Sequence, residues 1–216
     1  MSMNGSLRRV IPELLESLLE SPEGVTSLVM SAGAAGSEAV QSVVEQMRAM
    51  MAGGMAQQMD PAMAAQMQSL INQFSPGAGS ADAEAPDGAG PMLGLDKAWH
   101  GLHYLLTGDA WGGEPPLAYA VLGDEELGED LGYGPARCLT AEQVREVHAA
   151  LSAVREDDLR TRFDPEALGA AEVYPSGAWD SDGDEEREWL MDAFRSLTAF
   201  YAEAAEAGDA MLMWVS

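Results

Sequence analysis

A chain of 216 residues, 47% apolar and 22% charged, is long enough for one or two domains with an ordinary core. Thirty-six acidic against 11 basic residues leave a formal charge of −25, which excludes a phosphate-neutralising stripe and with it duplex nucleic-acid binding. A single cysteine, Cys138, excludes an intrachain disulfide and any Cys-rich zinc site. No stretch approaches the roughly 18 apolar residues of a membrane span, and Arg8-Arg9 have no apolar run behind them. A cytoplasmic protein with neither membrane segment nor secretory leader is expected.

Residues 5–11 are short and partly alternating, and Pro12 cannot donate to a ladder, so a strand is predicted to end there. Pro12 suits the first position of a helix with Glu13 and Glu16 near its positive end. Leu14, Leu15, Leu18 and Leu19 share one face of it, and Ser21-Pro22 stops it. A helical pair follows. Ser37 caps a helix with Val40, Val43, Val44, Met47 and Met51 at amphipathic spacing, and Gly53-Gly54 breaks it. Asp60-Pro61 starts a second, with Met63, Met67, Leu70, Ile71 and Phe74 on one face. Residues 75–92 are almost wholly Ser, Pro, Gly, Ala, Asp and Glu. They hold too little apolar surface to offset their ordering entropy, and a disordered linker is predicted.

Asp96 is then expected to cap a helix that ends at Thr107-Gly108, with Trp99, Leu102, His103 and Leu106 on one face. Residues 109–116, with two Gly and two Pro, read as a loop; 117–122 is too short to assign to helix or strand. The acidic, Gly-punctuated run 123–134 reads as another loop, and 136–139 as a short strand. Thr140 and Gln143 form a capping-box pattern opening a helix with Val144, Val147, His148 and Leu151 inward. Asp157 and Asp158 lead a further short helix, and Asp164-Pro165 begins another turn. Asp184–Ala207 is the longest predicted helix, with Trp189, Leu190, Phe194, Leu197, Phe200 and Tyr201 inward and Gly208 as its stop; Ala210–Val215 reads as a terminal strand. The sum is an α+β fold, mostly helical, with a small sheet of three or four short strands.

Several separated motifs, in this order, resemble the YfbM-like family. They are Met3-Asn4-Gly5 with Leu7-Arg8-Arg9-Val10, Leu95-Asp96-Lys97-Ala98-Trp99, and Leu102-His103-Tyr104-Leu105-Leu106-Thr107-Gly108. Pro116-Leu117-Ala118-Tyr119-Ala120-Val121-Leu122-Gly123, Tyr133-Gly134-Pro135-Ala136-Arg137, and Tyr174-Pro175 followed by Trp179 continue the series. The resemblance spans residues 1–30 and 93–216. It implies a compact α+β domain in a bacterial, cytosolic protein and no particular activity. Residues 31–74 depart from the pattern and read as a Met-rich helical-pair insertion, followed by the linker.

Trp99, His103, Tyr133, Arg137, Tyr174 and Trp179 are the candidate lining of a ligand pocket. His103 is expected to be a buried, hydrogen-bonded histidine; the alternative is a pocket histidine working as an acid/base. His100 and His103 lie three residues apart without the acidic neighbour of a helical zinc motif, so no metal site is expected. Arg137 beside a Gly-Pro turn is expected to pair with a carboxylate, the alternative being an anion-binding role. Tyr174 and Trp179 either rim the same cavity or finish the core. The Asp180–Asp184 run fails as a calcium loop because Glu185 stands where a glycine is needed and Met191 where a glutamate is. Met47, Met51, Met63 and Met67 read as packing within the helical pair, or as an adaptable partner surface. Gly-x-Ser-x-Gly, Walker and Rossmann signatures are missing from the sequence, and no cofactor is expected.

Two functions are left open. One is an acidic binding protein, immunity- or antitoxin-like toward a basic protein partner that its charge would steer. The other is a small-molecule enzyme using His103 as acid/base and Arg137 for an anionic substrate group. The sequence leaves the oligomeric state open.

Overall fold

The computed structural model describes residues 2–34, 87–179 and 183–216. The predicted helical pair with Met47, Met51, Met63 and Met67, most of the linker and residues 180–182 lie outside the described residues. By contacts the chain divides into a unit of Met1–Thr26 with Asp87–Ser216 and a unit of Ser27–Pro86. The first unit contains the sheet, most of the helices and the clefts described below.

Five strands and eight helices are described, in the order β1 (Gly5–Val10), α1 (Pro12–Glu20), α2 (Glu23–Ala34), β2 (Ala89–Asp96), α3 (Ala98–Thr107), α4 (Tyr119–Leu122), β3 (Glu125–Asp130), β4 (Pro135–Leu139), α5 (Ala141–Ala153), α6 (Glu156–Arg162), α7 (Pro165–Ala170), α8 (Asp184–Ala207) and β5 (Ala210–Val215). The strands form one sheet in the order β2-β1-β5-β4-β3, antiparallel at every pairing. The two ends of the chain therefore pair near its centre, with Leu7 opposite Met213, and Asn4 and Ser216 exchange backbone hydrogen bonds.

Strand alternation divides the buried side chains between two faces. Leu7, Leu139, Met211 and Met213 join Trp99, Leu102, Val144, Val147, Leu190, Leu197 and Tyr201 in the main core, between the sheet and α3, α5 and α8. The opposite face buries Val10, Ala136, Cys138 and Leu212, and α1 packs against β5 with Leu15 and Leu18 buried. The ends of α8 are as the sequence sets them: three acidic residues in the first turn, and Gly208 left-handed at the last with φ +76°. The Tyr201 hydroxyl donates to Ala120 O at 3.1 Å and so ties α8 to α4. On the solvent side Arg160 donates to Glu156 (2.7 Å) and Glu188 (2.9 Å), and Arg195 Nε to Glu156 (2.8 Å), joining α6 to α8. The Arg195 and Arg160 guanidiniums hold the Glu156 carboxyl down at about 2.

The Thr140–Gln143 capping box and Pro12 at the start of α1 stand as the sequence predicts, while Asp164-Pro165, read as the start of a turn, opens α7 with Asp164 as its cap. Four readings need correction. The sheet has five strands, not three or four. Residues 125–130, read as loop, form β3, an edge strand on which Leu127 is buried while Glu125, Glu126, Glu129 and Asp130 face solvent. Residues 89–92, read as the tail of the linker, form the first half of β2, where Pro91 is tolerated because the strand lies at the other edge. Asp96 does not cap α3: it ends β2 with φ +48°, and Lys97 takes the cap position without a side-chain bond. In both edge strands the neighbour's backbone supplies the order that composition lacks.

Gly101 marks where α3 meets its cover. A Cβ there would stand 2.6 Å from Trp179 Cη2 and 3.0 Å from Leu190 Cδ2. Gly169, in α7, has open space at the same position. Gly101→Ala should therefore lose about 1–3 kcal/mol through overpacking, against a helix-propensity gain of about 1. Gly169→Ala should gain up to about 1 kcal/mol, and urea denaturation of the two variants checks both signs.

Candidate functional site

The site is built on α3, which is buried along nearly its whole length and carries an indole and two imidazoles into the core. Buried polar atoms need partners, and these side chains find them in other segments of the chain. Trp99 Nε1 donates to Met3 O at 3.3 Å. His100 stacks on Trp99, with ring centroids 4.6 Å apart and planes 9° from parallel. Its Nε2–H donates to Ala110 O (2.8 Å) while Nδ1 accepts from Tyr174 N–H (2.9 Å). Those two bonds require the neutral Nε2–H tautomer, and burial lowers the pKa in the same sense. His103 donates from Nε2 to Gly112 O at 2.9 Å, and its fully buried Nδ1 has no hydrogen-bond partner. Burial pulls its pKa down to about 4.

Two imidazoles thus anchor one loop from beneath. The same loop is closed on itself by Asp109, whose Oδ1 accepts from Trp111 N–H (2.9 Å) and Gly112 N–H (2.7 Å), an Asx turn. These backbone donors lower the Asp109 carboxyl pKa. The turn presents Trp111 with 65% of its surface exposed, its ring centroid lying 4.4 Å from that of His100 and 5.8 Å from that of Trp99.

Trp111 forms one wall of a cleft of about 390 Å³ whose other walls include Leu122, Tyr133, Arg137, Glu126 and Trp214. Sheet register sets its polar pair: Glu126 on β3 lies directly opposite Arg137 on β4, and Arg137 Nη2 donates to Glu126 Oε1 at 2.7 Å. Arg137 Nη1 also reaches Asp124 O at 3.5 Å. Gly123, at φ +72°, lets the chain pass beside this pair, since a Cβ would stand 2.8 Å from Arg137 Cβ. Tyr133, 40% exposed, stands on a second Asx turn in which Asp130 Oδ1 accepts from Gly132 and Gly134 N–H groups. A second cleft, of about 530 Å³, opens between α3 and α7 beside Tyr104, Leu117, Arg162 and Asp164; Arg162 there donates to Leu105 O.

Of the six residues expected to share a pocket, Tyr133 and Arg137 line the cleft. The other four do not join them. Trp99 and His103 are core residues of α3, and the cleft is lined without them. The Tyr174 hydroxyl accepts from Met3 N–H at 3.1 Å, holding the N-terminal segment. Trp179 covers Gly101, donates to Val173 O (2.8 Å) and meets Phe163 edge-on. His103 is the buried, hydrogen-bonded histidine of the first expectation, and the acid/base alternative lacks the solvent-reachable imidazole it requires. No group of three metal-ligating side chains occurs among the described residues. Cys138 is buried, and burial, followed by Glu125 and Asp124, raises its thiol to about 11, so the adjacent Arg137 does not activate it. Trp111, Glu126 and Trp214 were missed. Trp111 had one visible signal, a large aromatic among Gly, Asp and Pro.

His103 makes stability depend on pH. Its folded pKa of about 4 lies below the ordinary 6.5, so the unfolded state binds more protons between those values. The stability is fully present above about 6.5 and is lost as pH falls toward 4, by up to about 3 kcal/mol. In urea titrations at pH about 7 and about 4.5, His103→Gln should show a shallower pH dependence than the unmodified chain. Parallel profiles would contradict this.

The family model for a domain of unknown function (DUF1877) matches residues 1–214, a range that includes the segment read as an insertion. No curated protein matches. Among solved structures, that of YfbM from Escherichia coli, described as a protein of unknown function, is similar with a TM-score of 0.60 at 18% sequence identity, over 99% of each chain. At that identity the likeness shows the fold alone.

Proposed function

The chain belongs to the DUF1877 family, a domain of unknown function, and from that premise we propose that it is a binding protein for a basic protein partner, immunity- or antitoxin-like in kind and cytoplasmic. The observation that carries this reading is the cleft, where Trp111 and Tyr133 stand exposed on two closed turns beside the carboxylates of β3. Exposed tryptophan and tyrosine held by rigid turns have the character of interface anchors, which gain desolvation energy at little conformational cost. A formal charge of −25 supports the basic identity of the partner, because it speeds encounter with cationic surfaces and repels anionic ones. No described helix is long and apolar enough to cross a membrane. Met47, Met51, Met63 and Met67 are retained on sequence grounds as a second contact surface.

The test is a titration of the intact chain against a panel of basic proteins over a salt series. Binding should weaken at least about tenfold between 50 and 300 mM salt as screening sets in. Trp111→Ala should weaken it further by about 2 kcal/mol, roughly thirtyfold. Salt-independent binding, or saturable binding indifferent to Trp111, would overturn the reading.

A further inference from the structure

We infer that Glu126 is the seat for an arginine side chain of the partner, and that Arg137 occupies this seat until the partner's guanidinium displaces it. The inference rests on the preceding reading that the partner is basic, and adds the recognised group and the residue that receives it.

The geometry of the pair is that of a replaceable contact. Arg137 Nη2 and Glu126 Oε1 are 2.7 Å apart, yet the two side chains are 41% and 60% exposed. An ion pair so open to water contributes little, so exchanging its cation costs little. Arg137 is not stranded by the exchange, because its Nη1 already leans on Asp124 O and the guanidinium can turn fully to solvent. The incoming group gains what Arg137 forgoes, a carboxylate able to accept two parallel N–H bonds.

The walls select for the planar cation. Trp111 makes tilted ring contacts with His100 and Trp99 and leaves 65% of its surface open. Tyr133 and Trp214 line the same cleft. A guanidinium can lie flat on an aromatic face while its edge pairs with a carboxylate; an ammonium offers a point charge and cannot do both as well. The volume of about 390 Å³ admits one such side chain with its backbone left outside.

The experiment is fluorescence polarisation of a dye-labelled tri-arginine peptide against the intact chain, with tri-lysine alongside. Arg137→Gln should bind tri-arginine about fivefold tighter and Glu126→Gln about tenfold weaker, as expected when one freed and one lost charge-assisted contact decide the outcome. Arg155→Gln makes the same change in net charge at the start of α6, away from the cleft lining, and should bind as the unmodified chain does. Tri-lysine should bind more weakly than tri-arginine. An Arg137→Gln variant no tighter than Arg155→Gln, a Glu126→Gln variant unchanged, or equal binding of the two peptides overturns the inference. If basic proteins bind through Trp111 while these results fail, the inference falls and the binding reading stands. If no basic protein binds, the binding reading itself falls.

Discussion

The architecture follows from a demand made by α3. A helix buried on almost every side would ordinarily carry aliphatic side chains; this one carries Trp99, His100 and His103. Each nitrogen taken from water must find a partner or cost on the order of 1–3 kcal/mol. The N-terminal segment answers Trp99, the 110–112 loop answers both histidines, and Tyr174 answers His100 from the far side. Two segments remote in sequence and the loop that follows α3 are thereby fixed against one helix. Trp111 is held over the cleft as a consequence. Its position depends on the flanking carbonyls of Ala110 and Gly112, which accept hydrogen bonds from the imidazoles at 2.8 and 2.9 Å.

The sheet supplies the second half of the cleft by a different principle. β5 lies at the centre, so the sheet is complete only when Ala210–Val215 pair with β1 and β4. Arg9 reinforces that closure from β1, donating to Asp209 at 2.7 Å and to Glu203 at 3.0 Å. Once β4 is paired with β5, the antiparallel register puts Glu126 opposite Arg137 on one face and Leu127 opposite Ala136 on the other. One residue of slip would reverse those faces. The cross-strand ion pair and the burial of Leu127 therefore specify the same register.

What the sequence made legible was whatever carries its own local chemistry. Pro12, the Thr140–Gln143 box, Asp164-Pro165 and Gly208 mark helix ends because the groups that satisfy the backbone are neighbours in the chain. The long amphipathic pattern of α8 and the apolar β5 were visible for the same reason. β3 was not, because Glu-Glu-Leu-Gly-Glu-Asp has the composition of a loop and becomes a strand through β4's hydrogen bonds. The site divides in the same way. Arg137 with a carboxylate partner could be anticipated from its setting. That His103 and Trp179 face the core while Tyr133 faces a cleft depends on which segments α3 and β4 gather, and no local pattern encodes that.

A chain so acidic also repels itself. With 36 acidic residues against 11 basic, compaction works against its own field, and the arginines are spent where elements must be joined: Arg9 between β1 and α8, Arg160 and Arg195 between α6 and α8. Burial holds Cys138 as a thiol and favours the neutral rings of His100 and His103. What remains open at the cleft are aromatic faces and one solvent-exposed ion pair. A cationic protein seated there would relieve the repulsion as well as fill the cleft, so binding and folding would draw on the same electrostatic energy. Such a coupling would give the acidic surface a physical role beyond solubility, for which a far smaller net charge suffices.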